Sequence, residues 1–226
     1  MDYSLGDEIK LHFDILPKAT KKALDFLSDK KWFERTDWYL AGGTALALQV
    51  GHRKSVDLDF FIKYPRFDNV DLLDRLSSSS DLKIKLNKDN TIFAELFKAK
   101  ISFIAYPFFV PKQNITKYGV VEILQPIDIA VMKIIAISQH GRKRDFFDLY
   151  WCAQNLESLE KTIKRLPVQY PSVAHNYHHI LKSLMYFEDA EEDPEPVIFF
   201  EINWKEVKNF FKKEIPVITK KLIKLE

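Results

Sequence analysis

The chain holds 226 residues, 46% of them hydrophobic and 29% charged, a globular balance with enough length to bury a sizeable core as one large domain or two small ones. With 34 basic against 32 acidic side chains the formal charge is +2, so the protein is no polycation and a nucleic-acid partner would have to be met by a local patch. The single cysteine, Cys152, excludes an intrachain disulfide. The N-terminal MDYSLGDEIKLHF lacks the basic and apolar regions of a signal peptide, and no apolar run approaches the ~20 residues of a membrane span, so a soluble, cytoplasmic protein without a membrane partner is expected.

Apolar residues recur at helical spacing from residue 8 to 30 (Ile9, Phe13, Leu16, Ala23, Leu24, Leu27), and Pro17 divides them into a short first helix and a second from Lys18 to Ser28. Lys18, Lys21 and Lys22 read as a solvated face. The stretch Trp38 to Ile62, WYLAGGTALALQVGHRKSVDLDFFI, reads as an apolar strand, a glycine turn, a short helix, a polar turn and a second strand. Alternation along that last strand puts Asp57 and Asp59 on one face, with Val56, Leu58 and Phe60 on the opposite, core-facing side. Adjacent carboxylates raise the cost of ionising either one, and a divalent cation is the usual remedy. Mg²⁺ suits one or two carboxylates completed by substrate phosphates. Gly42, Gly43 and Thr44, leading into a helix, supply free N–H groups and a hydroxyl for a phosphate. Either signal alone fits a solvated strand face or a plain turn. Their combination, in so apolar a context, favours a site. Arg53, just ahead of the aspartate pair, is suited to a bidentate phosphate clamp.

Beyond Pro65, a capped helix is expected over Asp68 to Leu76 with Leu72, Leu73 and Leu76 inward, then a loop at Ser77 to Ser80. Thr91 to Phe97 and Ile101 to Phe109 read as an antiparallel hairpin, and Gly119 to Leu124 as a further strand. A helix follows Gln125-Pro126, with Ile129, Met132, Ile135 and Ala136 as its core stripe, and Lys133 is poised between snorkelling to solvent and facing a ligand. Gly141 ends it. The next helix opens at Arg142, with Asp145 and Asp148 on one face and Arg144 four residues before Asp148. That group reads either as ion pairs fixing a helix turn or as Arg142 or Arg144 reaching a phosphate while an aspartate orients Lys133 or a water. Glu157 to Leu166 is helical. His175, His178 and His179 lack a zinc-binding pattern and read as surface or core residues. Glu188 to Glu195 reads as an acidic loop, and Trp204 to Leu225, with its seven lysines, as two amphipathic helices split at Pro216. A soft boundary at residues 123–128 separates a mixed half, 1–125, from a helical half, 126–226.

GGTALALQVGHRKSVDLDFF, together with Lys133 and RKRDFFDL at 142–149, resembles the signature of the AbiEii/AbiGii nucleotidyl transferase toxin family, within the DNA polymerase β-like nucleotidyltransferases; the likeness runs over roughly residues 35 to 150. The resemblance implies an α+β fold, a polymerase β-like core of mixed sheet and flanking helices followed by a helical C-terminal half. It implies catalytic Asp57, Asp59, Lys133 and Asp148, with Mg²⁺ held by the first two, and nucleotide contacts from Gly42, Gly43, Thr44, Arg53, Arg142 and Arg144. It further implies an NTP substrate, a tRNA 3′ end or a protein hydroxyl as acceptor, and an antitoxin partner in a toxin–antitoxin or phage-defence system. Where such enzymes carry a third carboxylate this chain has Ser102, and Glu95 on the partner strand is the nearest acid. That departure keeps a non-catalytic nucleotide-binding relative in view. A metal-dependent phosphohydrolase ranks last, since only His52 stands near the aspartate pair.

Overall fold

In a computed structural model, residues 10–79 and 81–222 are described. A 3-10 turn at Phe13–Ile15 precedes Pro17, in place of the expected first helix; Ile9 lies outside the described residues. The second expected helix, α1 (Lys18–Ser28), buries Ala23, Leu24 and Leu27, and a single turn, α2 (Lys31–Glu34), carries Phe33 into the core. Then come β1 (Tyr39–Ala41), α3 (Gly42–Val50), β2 (Leu58–Ile62), α4 (Asn69–Leu76), β3 (Leu82–Lys88), β4 (Thr91–Leu96), β5 (Ala99–Ala105), β6 (Thr116–Tyr118) and β7 (Val121–Ile123). Among the described residues these seven strands form one mixed sheet in the order β3-β4-β5-β2-β1-β7-β6. β2 runs parallel to β5 and β1 parallel to β7, while the other neighbours are antiparallel.

One face of the sheet is closed by aromatic packing. Phe60 stacks on Phe103 at 5.1 Å, and Phe33 meets Phe60 edge-on at 5.3 Å. Leu58 and Phe60 are fully buried on that side, as the alternation predicts. Val56 is not: it is 46% exposed, because β2 begins only at Leu58 and the alternation has no hold on the loop before it. There the Val56 carbonyl accepts the Thr20 hydroxyl at 2.8 Å.

The rest of the chain is helical: α5 (Pro126–His140), α6 (Lys143–Asn155), α7 (Leu159–Lys164), α8 (Leu166–Gln169), α9 (Tyr177–Ser183), α10 (Glu188–Glu191) and α11 (Trp204–Leu222). α5 packs against α3, α6, α7 and α9, so its buried surface is wider than one stripe. Ile129, Ala130, Val131, Lys133, Ile134 and Ile137 are buried; of the expected stripe Ile129 is therefore in the core, whereas Met132, Ile135 and Ala136 are only partly covered. α11 runs unbroken through Pro216, contrary to the expected split. Pro216 is exposed, so the Lys212 carbonyl it leaves without an N–H partner meets water, while Ile215 and Ile218 anchor both sides of the proline in the core. His175 precedes α9 and accepts no place on its face; its Nε2 lies 3.1 Å from the Tyr170 carbonyl oxygen.

Candidate active site

The site begins where β1 runs into α3. Ala41 pairs with Asp59, and Gly42 opens the helix at φ +70°, a left-handed conformation suited to glycine. A Cβ on Gly42 would stand 3.0 Å from Asp59 Oδ2, so the helix start and the carboxylate are in close contact. Ala41 occupies the N-cap and has no side chain that could bond the first turn, which leaves the leading N–H groups of α3 free for an anion. On its other side Asp59 pairs with Ser102 of β5, whose Oγ donates to Asp59 Oδ1 at 2.7 Å. Burial pushes the Asp59 carboxyl pKa up and the charge of Asp57 adds to this; the Ser102 hydrogen bond, Lys133 and Arg144 pull the other way.

Asp57 is half-buried just ahead of β2. Its Oδ2 is 3.6 Å from Arg144 Nη1, and its Oδ1 is buried without a hydrogen-bond partner. A buried carboxylate oxygen in that condition, beside a second carboxylate reluctant to ionise, is the donor set a divalent cation fits. Among the described residues no cluster of three or more His, Cys, Asp or Glu side chains could hold a metal ion. Two carboxylates completed by substrate phosphates match Mg²⁺ rather than an all-protein cage.

Behind this pair lies a buried ionic cluster. Asp148, on α6, is fully buried; Arg53 forks onto it through Nε at 2.5 Å and Nη2 at 2.9 Å, Lys133 Nζ approaches at 2.8 Å and His52 Nε2 at 2.7 Å. Lys133 also donates to Asp145 at 2.6 Å, and Asp145 Oδ2 accepts from the backbone N–H of Arg142. Burial works against ionisation of Asp148, but the Arg53 and Lys133 charges outweigh it and hold the carboxyl well below its ordinary range. Lys133 is likewise held charged, its burial outweighed by Asp145 and Asp148. Burial lowers the His52 pKa against the pull of Asp148, so at neutral pH the ring is neutral and donates through Nε2–H. Two cations thus balance two carboxylates in a dry setting.

The predicted residues therefore divide. Asp57, Asp59, Gly42, Gly43 and Arg144 meet at one place. Thr44 is buried, and its hydroxyl is engaged by Ser55 Oγ at 2.8 Å and by the Asp57 carbonyl, so it pins the loop ahead of β2 where a phosphate contact was expected. Arg53, expected to clamp phosphate, spends its fork on Asp148. A Cβ on Gly43 would come 2.1 Å from Arg53 Nη2, so this glycine is required by the guanidinium lying on the helix start. Lys133 neither snorkels nor lies open; it is 7% exposed within the cluster. Arg142 points away and pairs with Asp193 through Nη2 at 2.6 Å and Nε at 2.9 Å. Arg144, expected near Asp148, reaches Asp57 instead.

A groove of about 520 Å³ extends from the aspartate pair across β5 and β4, lined by Asp57, Asp59, Ser102, Phe93, Glu95, Lys85 and Lys100. The sequence reading did not single out Phe93, Lys85 or Lys100. The signal was present in TIFAELF: Ile92, Ala94 and Leu96 are buried, so Phe93 and Glu95 must face the other side.

The mixed sheet backed by a helical half is a fold shared with solved structures, a nucleotidyltransferase toxin among them. JHP933 of Helicobacter pylori matches with a TM-score of 0.53 at 20% identity, over 95% of each chain. MenT4, a nucleotidyltransferase toxin of Mycobacterium tuberculosis H37Rv, matches with a TM-score of 0.56 at 15% identity, over 88% of this chain and 82% of that one. An uncharacterized protein of Aquifex aeolicus (strain VF5) is 37% identical over 188 residues, 79% of this chain and 86% of its own. The family model described as nucleotidyl transferase AbiEii toxin, type IV TA system, matches residues 25–85 and 92–219. The chain belongs to this family of nucleotidyltransferase toxins, and with it come a nucleotide substrate and an antitoxin partner as family attributes. Among the described residues no helix is long and apolar enough to cross a membrane.

Proposed function

We propose that the protein transfers a nucleoside monophosphate from an NTP, with Mg²⁺, to a hydroxyl at the 3′ end of an RNA, and that this modification is its toxic act. The observation that carries the reading is Asp57 Oδ1, buried and without a partner beside the raised carboxyl of Asp59. Asp57 and Asp59 would hold Mg²⁺, which when bound supplies charge neutralisation for the nucleotide phosphates. The first N–H groups of α3 at Gly42 and Gly43 bind phosphate oxygens, and Arg144, 54% exposed and already turned to Asp57, swings onto the polyphosphate. Lys133, Arg53, Asp145 and Asp148 position α3, α5 and α6 about that point and contribute a fixed field, which is what this chemistry demands of a protein.

An RNA acceptor is favoured over a protein hydroxyl by the groove. Phe93 is 42% exposed on its floor, with Lys85 and Lys100 beside it: a flat ring for a base and two cations for phosphodiesters. Purified protein given each α-labelled NTP, Mg²⁺ and total tRNA should place label on RNA. Label on protein alone would contradict the RNA acceptor. A second reading, a nucleotide-binding relative without turnover, is favoured by Ser102 in place of a third acid; bound nucleotide with no label on any acceptor, antitoxin included, would decide for it.

A further inference from the structure

An acceptor hydroxyl that attacks phosphorus must shed its proton, and the residues placed so far supply no base for it. Asp57 and Asp59 are committed to the cation. Ser102 gives its own proton to Asp59 Oδ1, and a serine hydroxyl does not retain a second at neutral pH. We propose that Glu95 of β4 is the catalytic base that accepts this proton; the proposal rests on the reading of the groove as the site of nucleotidyl transfer.

Register gives the placement. Asp59, Ser102 and Phe93 form one row across β2, β5 and β4, and all project from the same face. The next row on that face of β4 and β5 contains Lys100 and its cross-strand partner Glu95. Strands lie about 4.8 Å apart, so β4 is roughly 10 Å from β2. The Glu95 side chain lines the groove with both aspartates. The span accommodates a reacting phosphorus and an acceptor oxygen between the aspartate pair and Glu95, with Phe93 under the acceptor's terminal base. The Glu95 side chain is 26% exposed, and among the described residues its ion pair is a loose 3.6 Å approach by Lys85. Lys83 and Lys85 face it from β3, Lys100 from β5, and across the groove stand Asp59 of β2 and Asp57 just ahead of that strand. The Glu95 oxygens, so loosely held, are open to an incoming hydroxyl, whereas those of Asp148 are already bonded by Arg53, Lys133 and His52.

The step balances. The acceptor oxygen forms a bond to the α-phosphorus, the bond from that phosphorus to the α–β bridging oxygen breaks, its electron pair leaves with pyrophosphate, and the hydroxyl proton passes to a Glu95 oxygen.

Single-turnover transfer of label from NTP to tRNA, measured against pH for wild type and Glu95→Gln, tests this, with nucleotide affinity and melting temperature recorded in parallel. Glu95→Gln should keep nucleotide affinity within about twofold, lose transfer by roughly 10²–10⁴-fold at neutral pH, and lose the fall in rate that the wild type shows on the acid side. Glu95→Ala should regain transfer on addition of formate, a rescue that a merely cross-strand role for Glu95 would not give. Transfer by Glu95→Gln within threefold of wild type, or an unaltered acid limb, overturns the base assignment and leaves the transfer reading standing. A wild-type protein that binds NTP and labels no acceptor overturns the transfer reading, and the role of Glu95 with it.

Discussion

At Asp59 the folded state holds a proton that the unfolded chain has already released, because burial and the Asp57 charge raise this carboxyl above its ordinary range. Over that window the native state binds more protons than the unfolded one, so stability falls as pH rises through it and stays lower above it. Asp57→Asn with Asp59→Asn therefore should leave the melting temperature at neutral pH unchanged or higher while abolishing Mg²⁺-dependent NTP binding; binding retained by the folded double variant would contradict the metal assignment. Asp148 has the opposite sign. Its carboxyl is held well below the ordinary range by Arg53 and Lys133, so its contribution is present above about pH 4 and is lost as pH falls further, through the depressed value. Asp148→Asn strands the buried Arg53 guanidinium, leaves Lys133 with Asp145 alone, and should cost about 3–5 kcal/mol, read as a shift of the urea midpoint at neutral pH. A loss below about 1 kcal/mol would show that water already screens the cluster. Of these two aspartates, burial raises the carboxyl of one and two buried cations hold down that of the other.

Among the helices, α11 carries a proline where sequence rules place a break. The helix persists because core contacts at Ile215 and Ile218 outweigh one lost hydrogen bond at an exposed position. Pro216→Ala restores an N–H to the Lys212 carbonyl and should raise stability, by up to about 3 kcal/mol on intrinsic preference alone; a lower melting temperature would mean that the proline is fitted to a bend the helix needs. Local rules read well where a whole element obeys one period. α1, α4, the start of α6 and the β4–β5 hairpin fall within a residue or two of their expected bounds, the hairpin's second strand aside, which stops at Ala105 rather than Phe109. They read badly at the sheet's edges. LKIKLNK alternates cleanly, yet β3 is an edge strand with a register shift between Ile84 and Leu86 that leaves Ile84 51% exposed, and β6 has only three residues on which to show any period. The aspartate pair and the Gly-Gly turn were legible because they stand 14 to 17 residues apart in one continuous strand–helix–strand unit. The engagement of Arg53 was not, since its partner Asp148 lies 95 residues away and sequence gives a charge without its counter-ion. Arg142 misled for the same reason, its partner Asp193 being supplied by the acidic segment near α10.

Over the whole molecule the site is held from both ends of the chain. The loop that carries His52 and Arg53 is bonded by the late segment 197–199: Lys54 donates its backbone N–H to Val197 at 2.8 Å, and Phe199 donates to the His52 carbonyl at 2.8 Å. A bridge between Arg53 and Ile198 completes the strap. α11 packs on α6 through Phe211 and Trp204 against Phe146, at 5.4 and 5.7 Å, so the helix bearing Asp148 is itself held by the C-terminal helix. One cluster of buried side chains runs from Ile15 to Ile218. A ligand bound at the start of α3 and on β2 therefore draws on contacts from the entire chain, and its binding energy should appear in global unfolding. An NTP with Mg²⁺ at about 100 times its dissociation constant should stabilise the protein by about 2.7 kcal/mol. For a chain of 226 residues that is a rise of roughly 5–10 °C in melting temperature. The rise should require Mg²⁺ and vanish in the double Asp57→Asn, Asp59→Asn variant. A nucleotide that produces it identifies the preferred base, and no shift with any of the four NTPs would exclude the helix start of α3 and the aspartate pair as the nucleotide site.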